Sequence, residues 1–557
     1  MSRKVHAVTL PVCSWCGAYD RRMPHGDPTH SELVAARRTK LAHLRTTVGI
    51  EPFGNRTDAL VPLASARATF DESAHGAHAA SVAAAKAVPG SMIEDSRPTV
   101  RVAGRVVQHR DMGKILFIGL RDDSGDLQVS VSKSAMCEQD FIVAKGLDYG
   151  DIITAFGRVG KTQKGEVCVW AEALSLQSKN IEPPPSKWHG LEDAELRYRH
   201  RYVDMFANPT TMRTFRARSA IVSEIRHFME TEGFLEVETP MMHPVAGGAA
   251  ARPFTTTHNA LGMPLFMRVA PELYLKRLLV GGLPKVFEIN RNFRNEGIDK
   301  SHNPEFTALE AYQAFGDYAT MLDLIERLVH NCAAQALARS WHPRAEPGPV
   351  LPWGDLRIDY SRPFTRVTFG ELFDRALGFS MHDAPKVRAA AVAHHIAAAA
   401  TADPWLLVNE LFERKAEALI DPCKPTFVLD YPSAVSPLTR PSRANPDLAE
   451  RWDLFIAGME IGPSYTELND PDIQLAKFTQ QLAGADEEAS VFRTLDEDFV
   501  HALRVGMPPA GGVGLGIDRL VMLLTDSPTI RDVILFPLMR PQGNPEAAQE
   551  SRGQTSH

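Results

Sequence analysis

Two segments of this sequence bring together residue types suited to binding anions and nucleotides. The first runs Phe293-Arg294-Asn295-Glu296-Gly297, passes through a loop from Ile298 to Pro304 that contains His302, and returns as Glu305-Phe306-Thr307-Ala308-Leu309-Glu310-Ala311-Tyr312. An apolar run with Val286, Phe287 and Ile289 precedes it, so the pattern predicts a strand, a charged hairpin and a second strand. Side chains two apart share one face of a strand, which puts Phe306, Glu310 and Tyr312 on the same side. A half-exposed sheet gives the same alternation, so this segment alone leaves scaffold and site both open. The second segment, Gly511-Gly512-Val513-Gly514-Leu515-Gly516-Ile517-Asp518-Arg519-Leu520, opens an apolar helix. Alternate glycines let a flat ligand lie on bare backbone, and Arg519 falls in the first helical turn, where a polyphosphate is met. The spacing is neither that of a P-loop nor that of the dinucleotide fingerprint. Upstream, an amphipathic pattern from Phe215 to Met229 leads into Gly233-Phe234-Leu235-Glu236-Val237-Glu238-Thr239-Pro240, a helix, turn and strand stopped by proline. It holds no nucleophile or ligand and reads as scaffold.

In combination and order, these three segments resemble the signature motifs of the class II aminoacyl-tRNA synthetases. Further stretches are similar to the lysyl-tRNA synthetases of the bacterial and eukaryotic type: Gly247-Gly248-Ala249-Ala250-Ala251-Arg252-Pro253-Phe254, Arg268-Val269-Ala270-Pro271-Glu272-Leu273-Tyr274-Leu275-Lys276-Arg277, Tyr465-Thr466-Glu467-Leu468-Asn469-Asp470 and Ile534-Leu535-Phe536-Pro537. The resemblance covers residues 34–541. It implies ATP-dependent activation of L-lysine to lysyl-adenylate and transfer to the 3′ end of lysine tRNA by a homodimer. Such chemistry brings a carboxylate onto a phosphate, so cations must cancel charge and align the attack. By carry-over Arg294 clamps carboxylate and α-phosphate. Arg519 meets the γ-phosphate and covers adenine, with Phe306 on the opposite face. His302 contacts the terminal phosphates, Glu296 the adenine, and Asp453 and Glu460 hold Mg²⁺. A buried ammonium must be paired. Glu310, Tyr312 and Glu467 match the family's side-chain pocket, with Glu467 expected on the ε-ammonium and Glu272 on the α-amino group. An aspartate-specific enzyme would need a cation there instead, and an inactive RNA-binding paralogue would not need to keep Arg294, Glu296 and Arg519. Relatives that ligate lysine without tRNA lack a barrel domain. Two positions depart from the family: Pro463 stands where asparagine is usual, and Asp453 where glutamate is.

The elements that must position these residues follow from length and pattern. A chain of 557 residues exceeds one hydrophobic core, so two or three domains are expected. With 44% hydrophobic and 23% charged residues it has the composition of a globular protein, and no apolar run approaches a membrane span. The start is too weakly apolar for a secretory signal, and six cysteines do not make a disulfide framework, so a cytoplasmic location is expected. The net charge of −7 requires any nucleic acid to be held by a local basic patch. Val100 to Val107, Ile115 to Leu120, Leu127 to Val131, Ile152 to Val159 and Val167 to Leu176 are five strand-like runs separated by turn signals, as in an OB fold. In that barrel the resemblance places Arg110, Phe117 and Gln128 against the anticodon; Phe117 by itself reads as core.

The fold expected is α+β, an antiparallel-sheet class II synthetase catalytic domain preceded by a five-stranded OB-fold β-barrel. Residues 1–33 read as an extension, 34–97 as a helical segment and linker, 98–180 as the barrel, 181–197 as a proline-rich linker, 198–543 as the catalytic domain and 544–557 as a polar tail. Glu32 to Leu44 predicts a helix with a cationic face, and Ala389 to Ala402 a surface helix. Cys13-Ser-Trp-Cys16, with His25 and His30 downstream, lacks the spacing of a zinc finger and reads as part of an extension, or of residues upstream of a start at Met23.

Overall fold

The computed structural model describes residues 29–541 except 89–91, 185–190, 192, 249–250, 345–347, 398 and 484–495. The Cys13–Cys16 pair, most of the 1–33 extension and the tail lie outside the described residues. Two compact units divide between Met212 and Arg213.

In the first unit a helix spans His30–His43. It starts before Glu32 because Thr29 and Glu32 form a reciprocal capping box, Thr29 N–H donating to Glu32 Oε2 at 2.7 Å. A second helix, Glu72–Ala87, is capped by Asp71. All five strand-like runs are strands: β1 Thr99–Asp111, β2 Ile115–Asp122, β3 Gly125–Ser132, β4 Ile152–Lys161 and β5 Val167–Ser178. They close into a ring in the order β1-β2-β3-β5-β4, with β3 and β5 parallel and a helix, Glu138–Lys145, between β3 and β4. Period-two alternation fills the inside: Leu116, Ile118 and Leu120 of β2 are fully buried. A register shift between Val106 and Gln108 lets β1 continue to Asp111, past the end of its apolar run.

The second unit carries β6 Leu235–Glu236, β7 Met242–His243, β8 Thr255–His258, β9 Met263–Met267, β10 Lys285–Phe293, β11 Glu305–Ala314, β12 Val350–Trp353, β13 Leu356–Asp359, β14 Thr365–Thr368, β15 Thr426–Leu429, β16 Arg451–Ile456, β17 Met459–Thr466 and β18 Ala510–Gly516. Eight of them form one sheet in the order β14-β15-β16-β17-β18-β11-β10-β6. Its central pairings are antiparallel, while β14–β15 and β10–β6 at the two ends are parallel. Helices Pro209–Thr231, Tyr318–Ala338 and Ile517–Leu524 cover one face, where Ile221, Ile225, Leu328 and Val521 share a core with Leu309, Ala311 and Val513 of the sheet. β11 therefore sends Leu309 and Ala311 to the core and Glu310 and Tyr312 to the opposite face. Gly233, at φ +82°, makes the turn from the first of these helices into β6.

The alanine-rich helix runs Ala384–Ala393 rather than through Ala402. Asp383 caps its start, and the left-handed backbone of His395 (φ +54°) follows its end, so composition misplaced both boundaries. Among the described residues no helix is long and apolar enough to cross a membrane.

Candidate active site

The face of the sheet left by the helices bounds a cleft of about 1020 Å³. The β10–β11 hairpin, β17 and β18 supply its walls, and Arg294, Glu296, His302, Phe306, Glu272, Glu310, Tyr312, Glu460 and Arg519 all line it. Register explains the convergence: Glu310 pairs with Gly514 and Tyr312 with Gly512, so bare backbone lies beside the two polar side chains. A Cβ on Gly512 would stand 2.0 Å from Glu467 Oε1 and 2.5 Å from the Tyr312 ring. That position must be glycine for both side chains to keep their places.

One part of the cleft is cationic. Arg294 leaves β10 at the hairpin, its backbone N–H donating to Pro304 O at 2.8 Å, and its guanidinium lies 5.1 Å from the Phe306 ring centroid. Its Nε is buried and has no hydrogen-bond partner among the described residues. Arg519 projects from the first turn after β18, donates to the Glu460 carbonyl and meets His302 Nε2 at 2.9 Å. Asp299 holds the other ring nitrogen of His302 at 2.8 Å, and its own carboxyl is lowered to about 2 by the hydrogen bonds it accepts from Ser301 and His302, against the opposing effect of burial. Neither Arg294 nor Arg519 forms an ion pair with a carboxylate among the described residues. In this arrangement Phe306 stacks with Arg294.

The other part is acidic, and its carboxylates differ in their partners. Glu288, opposite Glu310 in the β10–β11 register, is tied to buried Arg268 at 2.7 Å and accepts from Thr239 Oγ1 at 2.7 Å. Glu272 receives a 2.6 Å bond from Lys276, one helical turn further on, and the same ammonium contacts Glu467. Glu310 forms no ion pair among the described residues: its hydrogen-bond neighbours are Asn292 Nδ2 and Tyr312 Oη, each at 3.4 Å. Burial first, and then the charge of Glu272, push its carboxyl up to about 8. Glu467 is fully buried and in contact with the Lys276 ammonium, yet neither of its oxygens has a hydrogen-bond partner among the described residues, and burial raises its carboxyl to about 8 against the lowering effect of Lys276. Glu310 is thus a buried cleft acid that forms no ion pair among the described residues.

The two acids expected to hold Mg²⁺ differ in their partners. Asp453 is buried with both oxygens bound by Arg451, Nε to Oδ1 at 2.9 Å and Nη2 to Oδ2 at 2.7 Å. Glu460 lines the cleft without it, and no group of three or more potential metal-ligating side chains occurs among the described residues. Arg451 already satisfies Asp453, so Glu460 is the acid of the pair left open to the cleft, where Mg²⁺ is ordinarily held by one or two carboxylates together with substrate phosphates. Pro463 lies opposite Asp453 on β17, just before the β17–β18 ladder, which runs from Ser464 to Thr466.

Lys276, Arg451 and Lys477 are cations of this region that the motifs did not single out. Lys276 was legible as the i+4 partner of Glu272, and Arg451 as the same-face neighbour of Asp453 two residues on. Lys477 donates to the Ser436 and Thr439 carbonyls at 3.3 and 3.2 Å, and desolvation lowers its amine to about 8; nothing local in sequence marks it.

In the first unit, Arg110, Phe117 and Gln128 meet on one outer face of the ring. Arg110 pairs with Phe117 in register, and its Nη2 reaches Gln128 Oε1 at 3.4 Å. Phe117 points outward between inward Leu116 and Ile118 and is half-buried, so it is not a core residue.

Comparison with known proteins agrees with this geometry. Residues 193–540 match the family described as tRNA synthetases class II (D, K and N), and residues 100–183 match an OB-fold nucleic acid binding domain. The lysine–tRNA ligase of Carboxydothermus hydrogenoformans is 45% identical over 518 residues, covering 92% of this chain and 99% of that protein. Those of Dichelobacter nodosus and Aromatoleum aromaticum are 44% and 47% identical, over 93% and 80% of this chain and 100% and 88% of their own lengths. With its sheet, its cleft and most of its length accounted for in this way, the chain belongs to the class II tRNA synthetases (D, K and N).

Proposed function

We propose that the chain is a lysine–tRNA ligase. One observation supports the choice of amino acid: a single cleft holds two arginines and a buried carboxyl, Glu310, none of which forms an ion pair among the described residues. Such a cleft complements a ligand with anionic groups at one end and an ammonium at the other. The lysine carboxylate oxygen attacks the α-phosphorus of ATP, and the bond to pyrophosphate breaks. The terminal ribose hydroxyl of tRNA then attacks the carbonyl carbon, and AMP leaves. Arg294 lies between carboxylate and α-phosphate, Arg519 and His302 hold the outer phosphates, Glu296 and Phe306 receive the adenine, Glu272 the α-amino group, and Glu310 with Tyr312 the side-chain amine. No step is assigned to a metal held by Asp453. Residues 198–543 form the catalytic domain and 98–180 the RNA-binding barrel. ATP–pyrophosphate exchange measured with each amino acid tests the assignment: lysine alone should support it, and exchange with aspartate but not lysine would overturn it.

The barrel face has the chemistry of a single-strand reader, an arginine beside an aromatic ring, and is proposed to take the anticodon. Phe117→Ala is expected to weaken tRNA binding by about 1–3 kcal/mol, the worth of one stacked base. Exchange without tRNA should be unchanged, and an unaltered KM for tRNA rejects the site.

A homodimer is proposed from the exposed apolar residues between β6 and β9. Leu235, in the two-residue strand that ends the sheet, and Met241, Met242 and Leu261 further along the chain are 52%, 46%, 53% and 69% exposed. Sedimentation at micromolar concentration should show a dimer; a monomer there rules this out.

A further inference from the structure

The chain from Ser436 to Thr439 lines the cleft, and each of its four carbonyls accepts a hydrogen bond. Lys477 Nζ donates to Ser436 O at 3.3 Å and to Thr439 O at 3.2 Å, Gln474 Nε2 to Pro437 O at 3.3 Å, and the Leu468 N–H to Leu438 O at 3.1 Å. The Thr439 N–H also donates to Ser436 O, at 3.2 Å, which closes a turn with Pro437 at its second position. Lys477 therefore bonds the first and the last carbonyl of one turn. It stands three residues after Gln474 on the helix Pro471–Ala483, so both side chains leave the same helical face. Ser436, Thr439 and Gln474 are buried; Lys477 is half-buried in the cleft wall and forms no ion pair among the described residues.

The turn adjoins the acidic part of the cleft. Leu438 packs on the apolar cluster that contains Leu273 and Tyr312, and Thr439 pairs with Glu467 in an antiparallel bridge. Tyr312 in turn bonds Glu310 at 3.4 Å. We propose that Lys477 is a positioning residue for the amino-acid end of the cleft: its ammonium clamps the Ser436–Thr439 turn, and the turn fixes the wall against which the length of the substrate side chain is measured. The inference rests on the lysine reading above. A lysine kept for solubility would extend its amine into water or towards a carboxylate. Here the amine turns to two backbone carbonyls, and bonds from a cation to such acceptors are stronger than those between neutral groups. Those bonds offset part of the desolvation that lowers the amine to about 8.

Removing the ammonium takes a donor from both ends of the turn, while Gln474 and the Leu468 N–H still hold its middle. A displaced wall loosens recognition of the amino acid and leaves the cationic part of the cleft as it was. Lys477→Met should therefore raise KM for lysine roughly tenfold at pH 7, with KM for ATP within about twofold of wild type. Preference for lysine over ornithine, whose side chain is one methylene shorter, should drop about fivefold, a part of the roughly 10–200-fold that one methylene is ordinarily worth. Lys477→Arg, a cation with donors enough for both carbonyls, should restore most of both values.

The experiment is ATP–pyrophosphate exchange with the full chain at pH 7, run with lysine and with ornithine, taking kcat and KM separately for wild type, Lys477→Met, Lys477→Gln and Lys477→Arg. A wild type that does not activate lysine overturns the functional reading on which the clamp rests. A wild type that does, beside Met and Gln variants that keep its KM for lysine and its preference over ornithine, overturns the clamp alone. The clamp stands if the Met and Gln variants lose both and the Arg variant recovers them. Equal losses for lysine and ATP, or a loss that spares the preference and that Arg does not recover, mean packing only and also overturn it. If the Met variant fails to fold, the Gln and Arg variants decide among the same outcomes.

Discussion

Replacing Arg294 by alanine is expected to lower lysine-dependent ATP–pyrophosphate exchange roughly a thousandfold. Adenylate formation drives a carboxylate onto a phosphate, and two unit charges about 4 Å apart repel by about 4 kcal/mol at the effective dielectric of a protein cleft. Each 1.36 kcal/mol is a factor of ten in rate, so about three decades follow if one cation cancels that term. Arg294 is placed to be that cation. It leaves the end of β10, its guanidinium rests on Phe306 at 5.1 Å, and its buried Nε has no acceptor among the described residues. An arginine made for scaffold would be expected to have found a carboxylate, as Arg268 and Arg451 have. Arg294→Lys keeps the charge and loses the planar fork, so it should fall between, near a hundredfold loss. Melting temperatures should stay close to wild type, since no ion pair is broken. An alanine variant within tenfold of wild type in kcat/KM would remove Arg294 from the reaction and leave the cationic part of the cleft without its centre.

Where side-chain period and local turns decide structure, the sequence was readable. Alternation exposed all five barrel strands, and the β10–β11 hairpin followed from an apolar run, a charged loop and a returning strand. Reading stopped where the pattern did: β1 passes through a register shift and carries Arg110 beyond its last apolar residue, and only the pairing with β2 reveals it. The cleft followed the same rule. Residues grouped by strand parity, such as Phe306, Glu310 and Tyr312, arrive together. For residues whose state depends on partners elsewhere in the fold, a motif names the residue and not its neighbours. Glu467 and Asp453 stand as acids at the expected positions, and only the packed structure reveals Lys276 in contact with the first and Arg451 bound to the second. A motif specifies which acid stands at a position; the count of cations around it is a property of the packed structure.

That count makes Glu310 the most informative acid in the molecule. Glu310→Gln should raise KM for lysine by a factor of 10² to 10³, the roughly 2–5 kcal/mol lost when one member of a buried charge pair is removed, while KM for ATP stays near its wild-type value. The pH dependence separates charge from shape. In the free protein the Glu310 carboxyl is raised to about 8, whereas the side-chain amine of lysine keeps its proton to about 10.4. Below about 8, binding the ammonium must expel the Glu310 proton, so wild-type KM for lysine falls as pH rises towards 8 and then levels; the glutamine variant has no proton to release and should show no such slope. Stability moves the other way. Below its ordinary value of 4.5 the carboxyl is neutral whether the chain is folded or unfolded, and burial carries no ionisation penalty. Between 4.5 and about 8 unfolding releases a proton that the native state retains, so the native protein loses stability as pH rises through that window. Glu310→Gln escapes the loss and should melt higher than wild type at pH 8, with the gap closing as pH falls towards 4.5. A variant that binds lysine worse and unfolds later is what a site acid kept for its ligand predicts. If the glutamine variant instead retains wild-type KM, or loses stability at pH 8, Glu310 is a satisfied scaffold residue and the lysine pocket lies elsewhere.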